Sequence, residues 1–288
     1  MTEHHPDINN WLLPLSCIYG WGVSLRNKLF DWGWLRSESF SIPVICIGNL
    51  AVGGTGKTPH TEYLIRLLQQ AGLQVATLSR GYKRKTKGYV LATSRSTARE
   101  VGDEPCQMKR KFPHVRVAVD ANRRQGIGKL MQLDTPRTDV ILLDDAFQHR
   151  YVNAGLNILL TDYNRLFCED RLLPAGLLRE PASGKNRAQM VIVTKCPKDI
   201  KPIDFNITAK RLQLYPYQQL YFTQVRYGSP MPLFPEKNIR AIHPDALTGE
   251  NTQILLVTGI ASPRPMLEEV QRYTRQVTLM DFDDHHEF

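Results

Sequence analysis

The sequence predicts an α/β fold: a mostly parallel sheet with flanking helices, a smaller second α/β lobe, and an amphipathic helix in front. Three observations carry this. Six short apolar runs alternate with helical patterns between residues 42 and 195. Most of those runs are continuously apolar, as strands covered on both faces of a parallel sheet are. A further run, "ILLVTGIA" at 254 to 261, opens another α/β unit after a loosely patterned stretch.

All four tryptophans, Trp11, Trp21, Trp32 and Trp34, fall in the first 34 residues. The uncharged part of that region, Trp11 to Leu25, is shorter than the roughly 18 to 20 residues that span a bilayer. Pro14, Arg26, Asn27 and Lys28 interrupt or flank it. A helix lying in the headgroup region, with Trp and Leu in the acyl boundary and Arg26, Lys28 and Arg36 near lipid phosphates, fits this mixture. The same residues fit a helix packed on its own domain, and one face can serve each purpose. Residues 1–36 are therefore expected to form an interfacial helix, 37–212 a nucleotide-binding domain, and 213–288 a second lobe. The closing "VTLMDFDDHHEF" stops without a helix-closing signal, so that lobe is expected to be incomplete.

The expected strands are 42 to 48, 74 to 80, 115 to 119, 139 to 145, 156 to 162 and 189 to 195. After the first comes "GNLAVGGTGKTP" and then a helix with Tyr63, Leu64, Leu67 and Leu68 at helical spacing and a stop at Gly72. Gly53, Gly54 and Gly56 allow backbone N–H groups to turn inward around phosphate oxygens, and the helix adds its positive N-terminal end. Lys57 would reach the β and γ phosphates of ATP, and the Thr58 hydroxyl would bind Mg²⁺. The span Ala51, Val52, Gly53, Gly54, Thr55, Gly56, Lys57 and Thr58 is thus a P-loop. Ala51 stands where the usual GxxxxGK[ST] pattern has glycine, and Val52 where partitioning-type ATPases carry a signature lysine.

A P-loop enzyme needs an acidic group on its metal, at the end of an apolar strand. "VILLDDAFQHR" offers Asp144 and Asp145, followed by Gln148 and His149. "VGDEP" brings Asp103 and Glu104 before Pro105, which fits a helix start and also a carboxylate base for a hydroxyl acceptor. "SRGYKRKTKG" gathers Arg80, Lys83, Arg84, Lys85 and Lys87 in one loop, suited to phosphate or headgroups. "LLPAGLLREP" presents Arg179 and Glu180 from an ordered loop.

The net charge of +9 points to an anionic partner. Five single cysteines without a CxxC give no zinc or disulfide framework. The N-terminus lacks a basic export signal.

These motifs, in their order, resemble the tetraacyldisaccharide 4′-kinase family of lipid A biosynthesis; "VTK", "VTGIASP" and "DDHHEF" complete the set. The resemblance implies transfer of the ATP γ-phosphate to the 4′-hydroxyl of a tetraacylated glucosamine disaccharide 1-phosphate at the cytoplasmic face of the bacterial inner membrane. It also implies Asp103 as base with His285 as its partner, Asp144 and Asp145 as the metal and phosphate pair, and Glu180 as an auxiliary metal contact. Gln148 and His149 would be active-site neighbours. The implied partners are the lipid substrate and an anionic membrane surface, without nucleic acid. Ala146 stands where the family often has Gly. The rival reading is a membrane-associated P-loop ATPase switch that phosphorylates no acceptor.

Overall fold

The computed structural model describes residues 8–133, 137–228, 252–260 and 263–282. Two compact units divide the chain, Met1–Gln224 and Val225–Phe288.

In the first unit a 3₁₀ turn (Asn10–Leu12) leads into α1 (Leu13–Asp31), then β1 (Val44–Asn49) and α2 (Lys57–Gln70). There follow β2 (Val75–Ser79), β3 (Val90–Leu91), α3 (Ala98–Val101), α4 (Asp103–Lys111), β4 (Arg116–Val119) and α5 (Arg123–Met131). The unit closes with β5 (Val140–Asp144), β6 (Leu156–Asp162), β7 (Met190–Thr194), α6 (Pro202–Leu212) and β8 (Gln219–Phe222). The sheet order is β3-β4-β2-β5-β1-β6-β7-β8. All pairings are parallel except β3 with β4. The six expected strands of this unit all form. The division expected near residue 212 moves to Gln224, because β8 pairs with β7 and belongs to the same sheet.

The central strands are buried on both sides, as their continuous apolar runs require: Ile141, Leu142, Leu143, Leu159 and Leu160 are almost fully enclosed. Helix α2 covers the sheet with Thr61, Ile65, Leu64 and Leu68. That stripe corrects the expected face, since Tyr63 and Leu67 point to solvent. At Gly48 a Cβ would sit 2.7 Å from the Cβ of Phe147, so β1 and the turn after β5 are in direct contact.

Helix α1 has two faces. One packs on its own unit. Ser16 Oγ donates to Leu172 O (3.0 Å) and accepts from Ala175 N (2.9 Å). Gly20 leaves room for Leu172, and Phe30 meets Tyr151 edge-on at 5.0 Å. The other face carries Leu15, Ile18, Trp21 and Leu25, at spacings of three and four residues, all exposed. Trp11, just before α1, is 93% exposed. Among the described residues no helix is long and apolar enough to cross a membrane.

In the second unit β9 (Ile254–Thr258) and β10 (Val277–Asp281) pair in parallel, connected through α7 (Arg264–Val270).

Candidate active site

The loop between β1 and α2 is shaped at both ends by the rest of the first unit. At its start Val52 N donates to Leu177 O (2.7 Å), Arg179 N donates to Leu50 O (2.7 Å), and Ala51 bridges Leu178 in antiparallel fashion. This extended pairing is why Ala51 and Val52 serve where a glycine would be expected: the backbone makes no left-handed turn there. The turn comes later, at Gly53 (φ +112°) and Gly56 (φ +82°), where glycine alone is unstrained. Further along, Thr194 Oγ1 donates to Thr55 O (3.0 Å), and Asn49 Nδ2 donates to Thr55 Oγ1 (2.9 Å).

Lys57 opens α2, and its Nζ lies 3.7 Å from Asp145 Oδ1. Asp145 also receives Arg179 at 3.2 Å on both oxygens. Its φ of +45° is a left-handed conformation that Asp adopts more readily than most residues. Strain of this kind costs about 1 kcal/mol or more and is tolerated where the surroundings fix the residue.

Asp144, at the end of β5, is buried and accepts a hydrogen bond from Thr61 Oγ1 (3.2 Å). Burial first, then the charges of Glu104 and Asp145, push its carboxyl up to about 7, against the opposing pull of Lys57 and Thr61. On the neighbouring helix α4, Glu104 Oε1 accepts from the Thr58 hydroxyl (3.2 Å). Thr58, Asp144 and Glu104 therefore form a negatively polarised group of oxygens. Hard oxygen donors of this kind fit Mg²⁺, which takes one or two protein ligands and completes its shell with water and substrate phosphates.

Asp103 is the first residue of α4, directly after Gly102 (φ +94°), where a Cβ would press on the Tyr82 carbonyl at 3.0 Å. The Thr58–Glu104 bond and the Lys111–Glu62 ion pair tie α4 to α2 at both ends. Arg80 lies exposed at the end of β2. His285 lies outside the described residues.

Glu180, the expected auxiliary metal contact, is engaged by neighbouring side chains. Its Oε1 accepts from Gln148 (3.2 Å) and Arg187 (2.8 Å), and its Oε2 from Asn27 (3.3 Å) and Arg187 (2.9 Å). A carboxylate offers about four acceptor positions, and these partners fill them. Glu180 is a buried joint between α1, the Gln148 turn and Arg187. Gln148 in turn donates to Asn49 O (2.6 Å). His149 sits beside Tyr151, its Nε2 buried without a hydrogen-bond partner. Burial, then Arg123, Arg26, Arg124 and Arg80, pull its pKa down to about 4, so the ring is neutral at pH 7.

Two arginines escaped the sequence reading. Arg187 holds Glu180. Arg123 is 3% exposed, donates to Asp120 O (2.6 Å) and feels the charges of Asp144 and Asp145, while burial lowers its pKa to about 10. The available signal was "DANRR", a charged segment directly after an apolar strand, but nothing in it tells which arginine turns inward.

A mostly parallel sheet whose β1 ends in a P-loop, with a lysine and a strand-end aspartate pair converging there, defines a P-loop nucleotide-binding protein. The match to known proteins is specific. The family model described as tetraacyldisaccharide-1-P 4′-kinase matches residues 8–288, and the chain belongs to that family.

A tetraacyldisaccharide 4′-kinase from Bacteroides thetaiotaomicron is 64% identical over 294 residues, covering 100% of this chain and 77% of the relative. One from Porphyromonas gingivalis is 52% identical, covering 98% and 77%. Among solved structures, LpxK from Aquifex aeolicus, described as an "apo" form in complex with ATP, superposes with a TM-score of 0.75. It is 31% identical and aligns over 96% of this chain and 82% of its own.

Proposed function

We propose that the chain transfers the γ-phosphate of ATP to the 4′-hydroxyl of a tetraacylated glucosamine disaccharide 1-phosphate, a step of lipid A biosynthesis. The observation that carries this is the convergence of Lys57 and the Asp144–Asp145 pair on a P-loop braced by its neighbours, within a family of that activity.

The backbone N–H groups of residues 53 to 58 and the start of α2 cradle the phosphates. Lys57 exchanges Asp145 for the β and γ phosphate oxygens. The 4′-oxygen forms a bond to the γ-phosphorus as the bond to the β–γ bridging oxygen breaks. Asp103 takes the hydroxyl proton, and ADP leaves with the bridging oxygen. His285 would tune Asp103, and Arg80 and Arg179 would contact phosphates. Thr58 and Asp144, with Glu104 beside them, would hold Mg²⁺, which neutralises charge on the phosphates when bound.

The acceptor is an acylated lipid, so the enzyme works best at a membrane surface. The exposed face of α1, with Ile18, Trp21 and Leu25, and Trp11 just before it, supports peripheral membrane binding, and the family's place in lipid A biosynthesis makes the cytoplasmic side of the inner membrane the proposed site.

The deciding experiment incubates the protein with labelled ATP and a monophosphorylated tetraacyl disaccharide. A doubly phosphorylated lipid is expected. ATP loss without labelled lipid would instead identify a nucleotide-driven switch.

A further inference from the structure

Among the groups the mechanism leaves unused is His60, half-buried on the first turn of α2 beside the phosphate loop. Its Nδ1 is 2.7 Å from Gly56 O, and its Nε2 is 3.1 Å from Thr223 Oγ1. We propose that His60 is a positioning residue for nucleotide, which holds the Gly56 carbonyl away from the phosphate cradle and is itself anchored by Thr223. This rests on the reading of the loop as an ATP site.

The protonation pattern follows from the partners. A carbonyl only accepts, so Nδ1 carries the hydrogen. In a neutral ring Nε2 is then an acceptor, and the single Thr223 hydroxyl proton has two acceptors in reach, Nε2 at 3.1 Å and Val193 O at 3.4 Å, of which the ring nitrogen is the nearer. Thr223 is a firm post: its N–H donates to Val193 O (2.8 Å) and its carbonyl accepts from Cys196 N (2.9 Å).

The consequence lies in peptide geometry. In a trans peptide the C=O and the following N–H point in opposite directions. The Thr55 carbonyl is fixed by the Thr194 hydroxyl at 3.0 Å, which sets the direction of the Gly56 N–H. The Gly56 carbonyl accepts twice from residue 60, from its backbone N–H (3.2 Å) and more closely from the imidazole Nδ1 (2.7 Å), so the side chain adds a second anchor to the one the helix supplies and tightens the direction of the Lys57 N–H. A loop with Gly53, Gly54 and Gly56 has many conformations to lose on binding phosphate. Two side-chain anchors on successive carbonyls remove part of that loss in advance.

The test compares His60→Ala, His60→Gln and His60→Asn, with Thr223→Val as a variant that leaves the ring in place. Binding of a fluorescent ATP analogue, kcat, both KM values and Tm are measured for each. Asn presents its Nδ2 near the position of the imidazole Nδ1, whereas Gln reaches toward Nε2. The expected result is a Kd about tenfold weaker for Ala and Gln, with kcat and the lipid KM within about twofold of wild type. Asn should return the Kd to within about threefold, and Thr223→Val should fall between.

Equal nucleotide affinity in all four variants would overturn the proposal. So would an Asn variant as weak as Ala, or losses that follow Tm and affect both substrates alike. Wild-type protein that fails to bind the analogue would remove the ATP reading itself, an outcome distinct from unchanged affinity among variants of a binding-competent enzyme.

Discussion

Lys57 Nζ stands 3.7 Å from Asp145 Oδ1, and Arg179 approaches the same carboxylate from the side at 3.2 Å. Asp145 thus draws two basic side chains to one carboxylate at the start of α2. Lys57→Ala should lower phosphoryl transfer by at least ~10³-fold, the scale on which a preorganised charge at a transferring phosphate acts. Unchanged circular dichroism and Tm would attribute the loss to chemistry. Turnover within tenfold of wild type would exclude Lys57 from the reaction.

Asp103 begins α4 and is expected to receive the proton. Asp103→Ala should cut kcat by ~10²- to 10⁴-fold, the usual contribution of a positioned base, while ATP affinity changes little. Normal turnover in that variant would remove Asp103 as the base.

Glu180 is 3% exposed in its side chain and bears Arg187, Gln148 and Asn27. Glu180→Ala leaves Arg187 without its carboxylate, and loss of one partner of a buried pair costs about 3 kcal/mol. Chemical denaturation should show this loss of stability whether or not magnesium is present. A variant as stable as wild type, with weakened magnesium dependence of turnover, would restore Glu180 as a metal contact.

His149 gives a pH signature. Its folded-state pKa, near 4, is below the unfolded value of about 6.5. Between those values the unfolded chain binds more protons, so the contribution of His149 to stability shrinks as pH falls from about 6.5 to about 4. The Tm of wild type should therefore drop more steeply over that window than the Tm of His149→Asn. Parallel curves would show that His149 is accessible to protons in the folded protein.

For membrane association, removing residues 1 to 36 should release the protein from liposomes. That deletion also strips Ser16, Asn27 and Phe30 from their partners on the folded unit. A paired substitution, Ile18→Ser with Trp21→Ser, changes only the solvent face. It should shift the protein off anionic vesicles with Tm unchanged; retention on vesicles would locate the anchor elsewhere, with the basic loop after β2 the next place to test.

The sheet was legible because its inner strands are continuous apolar runs, and the P-loop because glycines and Lys57 keep a fixed spacing. Edge strand β8 was not: "QLYF" alternates exposed and half-buried residues in a polar stretch and is specified by pairing with β7. The buried face of α2 was missed because Tyr63 and Leu67 share helical spacing with the residues that pack. The inner stripe of α1 was equally hidden, since Ser16 and Gly20 are small and carry no hydrophobic signal. Asp144, Asp145, Asp103 and Glu104 could be found by motif. The quadruple engagement of Glu180 depends on Asn27, Gln148 and Arg187, which only folding brings together.

Gly48 finally sets a limit on how this protein can vary. Its hydrogen-only side chain lets the strand that feeds the phosphate loop rest on Phe147, 2.7 Å from where the smallest substituent would begin. That contact adds to the β1–β5 pairing in setting the gap between the lysine-bearing and aspartate-bearing halves of the centre. Any side chain at this position would pry the two halves apart without altering a residue that touches a substrate.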